Sequence, residues 1–190
     1  MKKLSIVLLS IVLLVLVFFF YMGAFETIQF QKEVKGPYYL LYQSHTGAYK
    51  DIGSVISTVD TYATETKLPI EAKFGLYYDN PNYVPDEKLR SEGGVVLSKK
   101  AYEGLPQNLE KFGVRVLPQG EYLVTRFPYK NPLSILFGVF KVYPAFSRYA
   151  KENKFKEYVY KENDYKDEFI SEIYLSEDIL YLIHLPQAKE

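Results

Sequence analysis

The 190-residue sequence contains no cysteine. That excludes a disulfide, a thiolate metal site, a cysteine nucleophile and a lipoprotein anchor, but it fixes no redox compartment. Histidine is nearly absent too. His45 and His184 stand alone, each in a strand-like run, and a lone strand histidine is an ordinary structural residue. The chain has no HExxH, no phosphate-binding Gly-rich loop and no Gly-x-Ser-x-Gly. Net charge is also missing, since 23 basic residues balance 23 acidic ones. Setting aside Lys2 and Lys3 leaves 21 basic residues against 23, a net of −2. A nucleic-acid surface needs a clustered basic excess, so that partner class is excluded. No metal site and no cofactor motif is legible.

What the sequence has in quantity is aromatic side chains: 19 tyrosines and 13 phenylalanines. Tyrosine joins an apolar ring to a polar tip, which suits half-wet pocket walls as well as a core. The other excess is a single apolar run. From Leu4 to Met22 there is no charge, and Ser5 and Ser10 are the only polar side chains. Nineteen residues rising 1.5 Å each cover about 28 Å, close to a hydrocarbon core of roughly 30 Å. The run carries no small-x-small cleavage site and ends in aromatic residues, so it reads as an uncleaved single-pass membrane anchor. Lys2-Lys3 against Glu26 place the amino terminus in the cytoplasm and the remainder on the outer side. Lys32 and Lys35 weaken that bias. Residues 1–24 are then the anchor, 25–35 a juxtamembrane connector, 36–186 one folded domain and 187–190 a tail.

Within the domain, residues 38–45 read as a strand with large groups on both faces. A helix follows over residues 50–66, with Ile52, Ile56, Val59 and Tyr62 as its buried stripe. Residues 73–78 and 94–97 read as strands joined by a rigid charged crossing, because Asn80-Pro81 and Pro85 stop the ladder. Residues 101–108 form a loop or short helical turn. Strands over 113–117 and 122–127 are broken by Pro118-Gln119-Gly120. Asn131-Pro132 opens a second helix. Its apolar face is read as Leu133, Leu136, Phe137 and Phe140, with a kink at Pro144. A strand at 158–160, a polar stretch at 163–168 and a hairpin of 172–175 with 179–185 complete the chain. A faint repeat at an offset of 83 links Tyr39 to Tyr122, Ile52 to Ile135 and Tyr77 to Tyr160.

The crossing, read from Tyr77 as YYDNPxxVPxxKxR and followed by Gly93-Gly94, resembles the signature segment of GyrI-like small-molecule-binding domains, a group related to the SOUL proteins. Gly47-x-Tyr49 before it matches the Gly-x-Tyr that opens the first helix of such domains, and Lys111-Phe112-Gly113, Phe127-Pro128-Tyr129, Pro144-Ala145 and Glu172-Ile173-Tyr174 follow in the same order. Within that superfamily the chain is most similar to the membrane-anchored testis-expressed ER-phagy receptor family, over Gly36 to Pro186. The resemblance implies an α+β fold. Duplicated β-α-β-β units would form a curved antiparallel sheet with two helices on one face, preceded by one transmembrane helix. It also implies an effector-binding domain for a small ligand, with a ligand-facing glutamate at Glu172. The receptor relatives keep this domain in the cytosol, contrary to the charge rule followed above.

Alternation along Glu172-Ile173-Tyr174-Leu175 puts Glu172 and Tyr174 on one face and Ile173 and Leu175 on the other. If the aliphatic pair meets the helices, the acid faces the concave side among tyrosines from the first strands. A carboxylate among aromatic rings suits a cationic or polar aromatic ligand. The expected ligand-binding set is Glu172, Tyr174, Tyr42, Tyr78 and Asp79, with no catalytic residue. Two other readings stay open. One is a small hydrolase working through Glu172. The other is an adaptor like the receptors, for which the aromatic-x-x-aliphatic tail motif is not found. The protein partner is unknown.

Overall fold

A computed structural model describes residues 2–106, 109–153 and 169–184. The expected strand at 158–160 and the polar stretch 163–168 lie outside the described residues. An N-terminal helix, α1 (Lys2–Tyr21), precedes an eight-stranded antiparallel sheet. The strands are β1 (Gln31–Lys35), β2 (Tyr38–Thr46), β3 (Ile70–Tyr77) and β4 (Arg90–Leu97), then β5 (Gly113–Leu117), β6 (Gly120–Pro128), β7 (Ile170–Tyr174) and β8 (Asp178–His184). Helix α2 (Ile52–Glu65) follows β2, the short α3 (Lys99–Glu103) follows β4, and α4 (Leu133–Glu152) follows β6.

The order across the sheet is β1-β6-β8-β7-β3-β4-β2-β5. Two β-α-β-β units therefore abut at β3 and β7: β2-α2-β3-β4 and β6-α4-β7-β8. Gly75 faces Glu172 at the middle of that junction. β2 and β6 are both nine residues long, and an offset of 82 matches Leu40 with Tyr122, both in the inner core, and Leu41 with Leu123, both under a helix. The sequence offset of 83 is one too many. It matches Tyr39 with Tyr122, which lie on opposite faces, and its pairing of Tyr77 with Tyr160 lies outside the described residues.

Each unit lends its leading strand to the other. β1 pairs with β6, and β5 pairs with β2. β1 reaches β2 through Gly36-Pro37, and β5 reaches β6 through Pro118-Gln119. Links this short between opposite ends of the sheet force it to curl into a half-barrel. The two links touch: a Cβ added at Gly36 would lie 2.8 Å from the Pro118 carbonyl oxygen, and Gly36 has φ +83°. Only glycine fits there comfortably. β1 falls within the expected connector. Its sequence QKEVK carries little strand signal, and it is held as a charged edge, with Glu33 accepting from Arg126 of β6 at 3.0 and 3.2 Å.

The curl gives the sheet an inside and an outside. Inside, Leu40, Phe74, Leu76, Leu117, Tyr122, Val124 and Ile173 form one core drawn from both ends of the sheet. Outside, α2 packs Val59 and Ala63 on Leu41, Val95 and Leu97. α4 packs Phe146 and Ala150 on Leu123 and Ile183, and Val142 on Phe127 and Tyr181. The α2 stripe of Ile52, Ile56 and Val59 is buried as its spacing requires, with Tyr62 half-buried.

The apolar face read for α4 is corrected. Leu133, Leu136 and Phe140 are exposed, while Ser134, Gly138, Val142, Phe146 and Ala150 face the sheet. The small residues let the helix sit close: a Cβ at Gly138 would strike the Tyr181 hydroxyl. Pro132 stands at the N-cap, and Asn131 just before it accepts the Leu133 N–H on its Oδ1 at 2.9 Å. The helix continues through Pro144.

Candidate functional site

Glu172 projects from β7 toward the outside of the curl, on the face that carries the helices. The aliphatic partner Ile173 belongs to the inner core. The expectation that Glu172 faces the concave side is thereby reversed. The strand alternates as read, but both faces of this sheet are apolar, so alternation alone does not say which one the helices cover.

Glu172 is 1% exposed. Its Oε1 accepts from the Tyr143 hydroxyl of α4 at 2.7 Å, and its Oε2 accepts from the Tyr174 hydroxyl at 2.9 Å. The Tyr174 hydroxyl also lies 3.1 Å from that of Tyr77. Tyr77 is packed edge-on against Tyr49, with ring centroids 4.9 Å apart, and Tyr181 against Tyr143 at 6.2 Å. Four tyrosines, Tyr77, Tyr143, Tyr174 and Tyr181, thus lie around one acid at the junction of the two units, with Tyr49 behind Tyr77. Gly75, opposite Glu172, makes room for this, because the Tyr77 ring lies back over it within 3.0 Å of where a Cβ would stand. Tyr143 and Tyr174, the two donors to the acid, are half-buried. Tyr174 packs against the clusters under both helices.

Burial pushes the Glu172 carboxyl up from 4.5 to about 7, against the opposing pull of the Tyr143 and Tyr174 hydrogen bonds. Among the described residues no lysine or arginine pairs with it. Burial, with the nearby Glu172 charge, also raises Tyr77 and Tyr174 well above the usual phenol value. The site therefore holds a buried acid whose carboxyl sits well above the usual carboxylate range, held by the Tyr143 and Tyr174 hydroxyls. Among the described residues its hydrogen-bond partners are phenols.

The other expected residues do not join this group. Tyr42 and Tyr78 pack on the inner core, across the sheet from Glu172. There Arg115 donates to the Tyr78 hydroxyl at 2.6 Å and to Glu92 Oε1 at 3.2 Å, and lies over the Tyr42 ring at 5.5 Å. Burial raises the Glu92 carboxyl and Arg115 lowers it in part. Asp79 sits at the rim, where its carboxylate takes the Arg90 N–H and guanidinium, each at 2.7 Å. The Tyr49 hydroxyl accepts the Asp79 N–H and donates to the Asp79 carbonyl, both at 2.8 Å. Tyr49 thus ties the entrance of the first helix to the crossing. Sequence reasoning missed Tyr77, Tyr143 and Tyr181 as neighbours of Glu172 and Tyr49 as the residue packed behind Tyr77. Gly47-x-Tyr49 marked Tyr49 as a motif residue, but nothing in its own segment links it to Tyr77.

A family model described as the GyrI-like small molecule binding domain matches residues 29–178. The chain belongs to that family. Among curated proteins, this GyrI-like chain is 32% identical over 119 residues to testis-expressed protein 264 homolog of Mus musculus, and 33% identical over 123 residues to testis-expressed protein 264 of Homo sapiens. Those matches take in 60% and 62% of this chain but only 37% and 38% of the relatives, so the chain spans well under half of their length. Among solved structures, an integron cassette protein from the mobile metagenome of Vibrio cholerae matches with a TM-score of 0.50 at 15% identity, covering 84% of this chain and 97% of that one. A structure solved with tetraphenylphosphonium bound has a TM-score of 0.48 at 11% identity, covering 83% and 94%. The GyrI-like resemblance read from the crossing and its ordered motifs is thus borne out, as is the duplicated fold.

Proposed function

We propose that this GyrI-like domain binds a small cationic or polar aromatic ligand at the junction of its two units, with Glu172 as the acidic floor and Tyr174 beside it. The observation that carries this reading is a buried carboxylate held by tyrosine hydroxyls, with no basic side chain paired to it among the described residues. Such an acid gains most from a ligand that supplies the missing positive charge, and the tyrosine faces favour the same charge. A cation would hold the carboxyl ionised, so binding should release a proton below about pH 7, where the free acid is largely protonated. Helix α1 is long and apolar enough to cross a membrane over Lys3–Tyr21. We read it as an anchor with its amino terminus in the cytoplasm and the domain on the outer side.

Calorimetry of the wild type and Glu172→Gln against a cationic aromatic dye and its uncharged analogue tests the ligand reading. The substitution should cost about 1–3 kcal/mol for the cation and less for the neutral analogue. Equal affinities for both dyes in both proteins would remove Glu172 from the binding site.

A further inference from the structure

The first two turns of α4 present a continuous apolar surface that the fold leaves uncovered. Phe140 is 75% exposed, Leu136 54% and Leu133 49%, with Phe137 between them. Single exposed apolar side chains are ordinary, but a contiguous patch on one helix face marks a contact surface. Its position says what covers it. The Phe137 ring packs edge-on against Phe19 at 5.6 Å and Phe18 at 6.5 Å, both in the last turn of α1. Met22, just past that turn, is fully buried, with its Sδ 3.5 Å from the Asn131 side-chain nitrogen. Lys141 of α4 donates to the Ala24 carbonyl at 2.6 Å. The end of α1 is thus fastened to the start of α4.

The geometry points to a lipid-docking surface: Leu133, Leu136, Phe137 and Phe140 lie in the boundary of the bilayer that α1 crosses. This rests on reading α1 as a membrane span. If Lys3–Tyr21 crosses the hydrocarbon, its last turn stands at the lipid–water boundary, and whatever packs on that turn stands there too. An amphipathic helix sinks its apolar face about 5–10 Å into that zone, with basic side chains turned to the headgroups. Further along the same exposed side α4 changes from Phe140 to Arg148 and Lys151, both exposed. The patch is therefore continuous with the lipid-facing surface of α1. The docked domain would lie flat on the membrane and not hang from a loose tether.

The absence of cysteine gives a clean test. Full-length protein is reconstituted in phosphatidylcholine vesicles with a single nitroxide on Phe140→Cys, Leu136→Cys, Ser57→Cys on the exposed side of α2, or Leu13→Cys in mid-α1. Collision with oxygen is compared with collision with a water-soluble nickel chelate. The oxygen-to-nickel ratio should be severalfold higher at positions 140, 136 and 13 than at 57. A high ratio at 13 with ratios at 140 and 136 equal to that at 57 would overturn the docking surface and leave the span intact. A low ratio at 13 would overturn both. Spin–spin broadening at 140 that disappears on dilution with unlabelled protein would overturn it in favour of a second copy of the chain.

Discussion

The hydroxyls of Tyr77 and Tyr174 meet 3.1 Å apart, although the residues lie 97 positions apart in the chain. They occupy equivalent places in the two units, so the duplication brings the ends of its two inner strands together. Glu172 lies one step from this contact, sharing the Tyr174 hydroxyl. The acid occurs in one unit only, since the position opposite it is Gly75.

Glu172 should make the fold pH-sensitive. Its carboxyl is raised from 4.5 to about 7 by burial. Below pH 4.5 both folded and unfolded chains hold the proton, and no penalty exists. Between pH 4.5 and 7 the unfolded chain releases it first, so stability should fall by about 3 kcal/mol and then level off. Glu172→Gln should abolish that fall and be more stable than the wild type at pH 8. Urea denaturation at pH 4.5, 6 and 8 checks the sign. A wild type whose contribution from this residue rises with pH would contradict it.

Tyr174→Phe removes the donor to Glu172 Oε2 and the contact with the Tyr77 hydroxyl. The carboxyl then keeps one phenol donor, from Tyr143. Its pKa should climb further, and stability at pH 8 should fall by about 1 kcal/mol. Titration of the Glu172 carboxyl carbon by NMR would show the midpoint moving up. A midpoint moving down would refute the account of the shift.

The Tyr181 hydroxyl is buried with no hydrogen-bond partner among the described residues, pressed against Gly138. Tyr181→Phe should therefore be neutral or stabilising by up to about 1 kcal/mol. Gly138→Ala alone should destabilise by about 1–3 kcal/mol through overpacking. Combined with Tyr181→Phe, it should cost clearly less than the sum. Thermal melts of the four proteins give the coupling directly.

Gly36→Ala places a methyl against the Pro118 carbonyl and forces an L-residue to hold φ +83°. A loss of about 1–3 kcal/mol is expected. Gly53→Ala, with open space around its Cβ on exposed α2, is the control and should be neutral or slightly stabilising. Denaturation midpoints of the two variants should separate accordingly.

Much of this architecture was legible. Ile52, Ile56 and Val59 recur at helical spacing and are buried as that spacing demands. The Asn80-Pro81 break and the Pro118-Gln119 turn fall where strands end. Three things were hidden, each for a physical reason. β1 has only Val34 as an apolar residue because an edge strand is held by backbone pairing and cross-strand charge. The apolar face of α4 is a true periodicity pointing away from the sheet, since the side that packs uses Ser134 and Gly138 for closeness. Hydrophobic spacing reports an apolar environment without saying whether that environment is protein or lipid. The tyrosines around Glu172 come from four separate segments, and only the folded sheet brings them together.

The exchange of leading strands makes the halves interdependent. A fragment ending before residue 107 holds β2-α2-β3-β4 but lacks β5, the strand that edges it, and carries β1, which belongs to its counterpart. The remainder has the reverse deficit. Neither is a domain by itself, and each is a template for the other. Cut in the segment between α3 and β5, the two pieces should reassemble without a covalent link. In the intact chain, a β1 that finds β6 of a neighbouring molecule offers a route to a strand-swapped dimer.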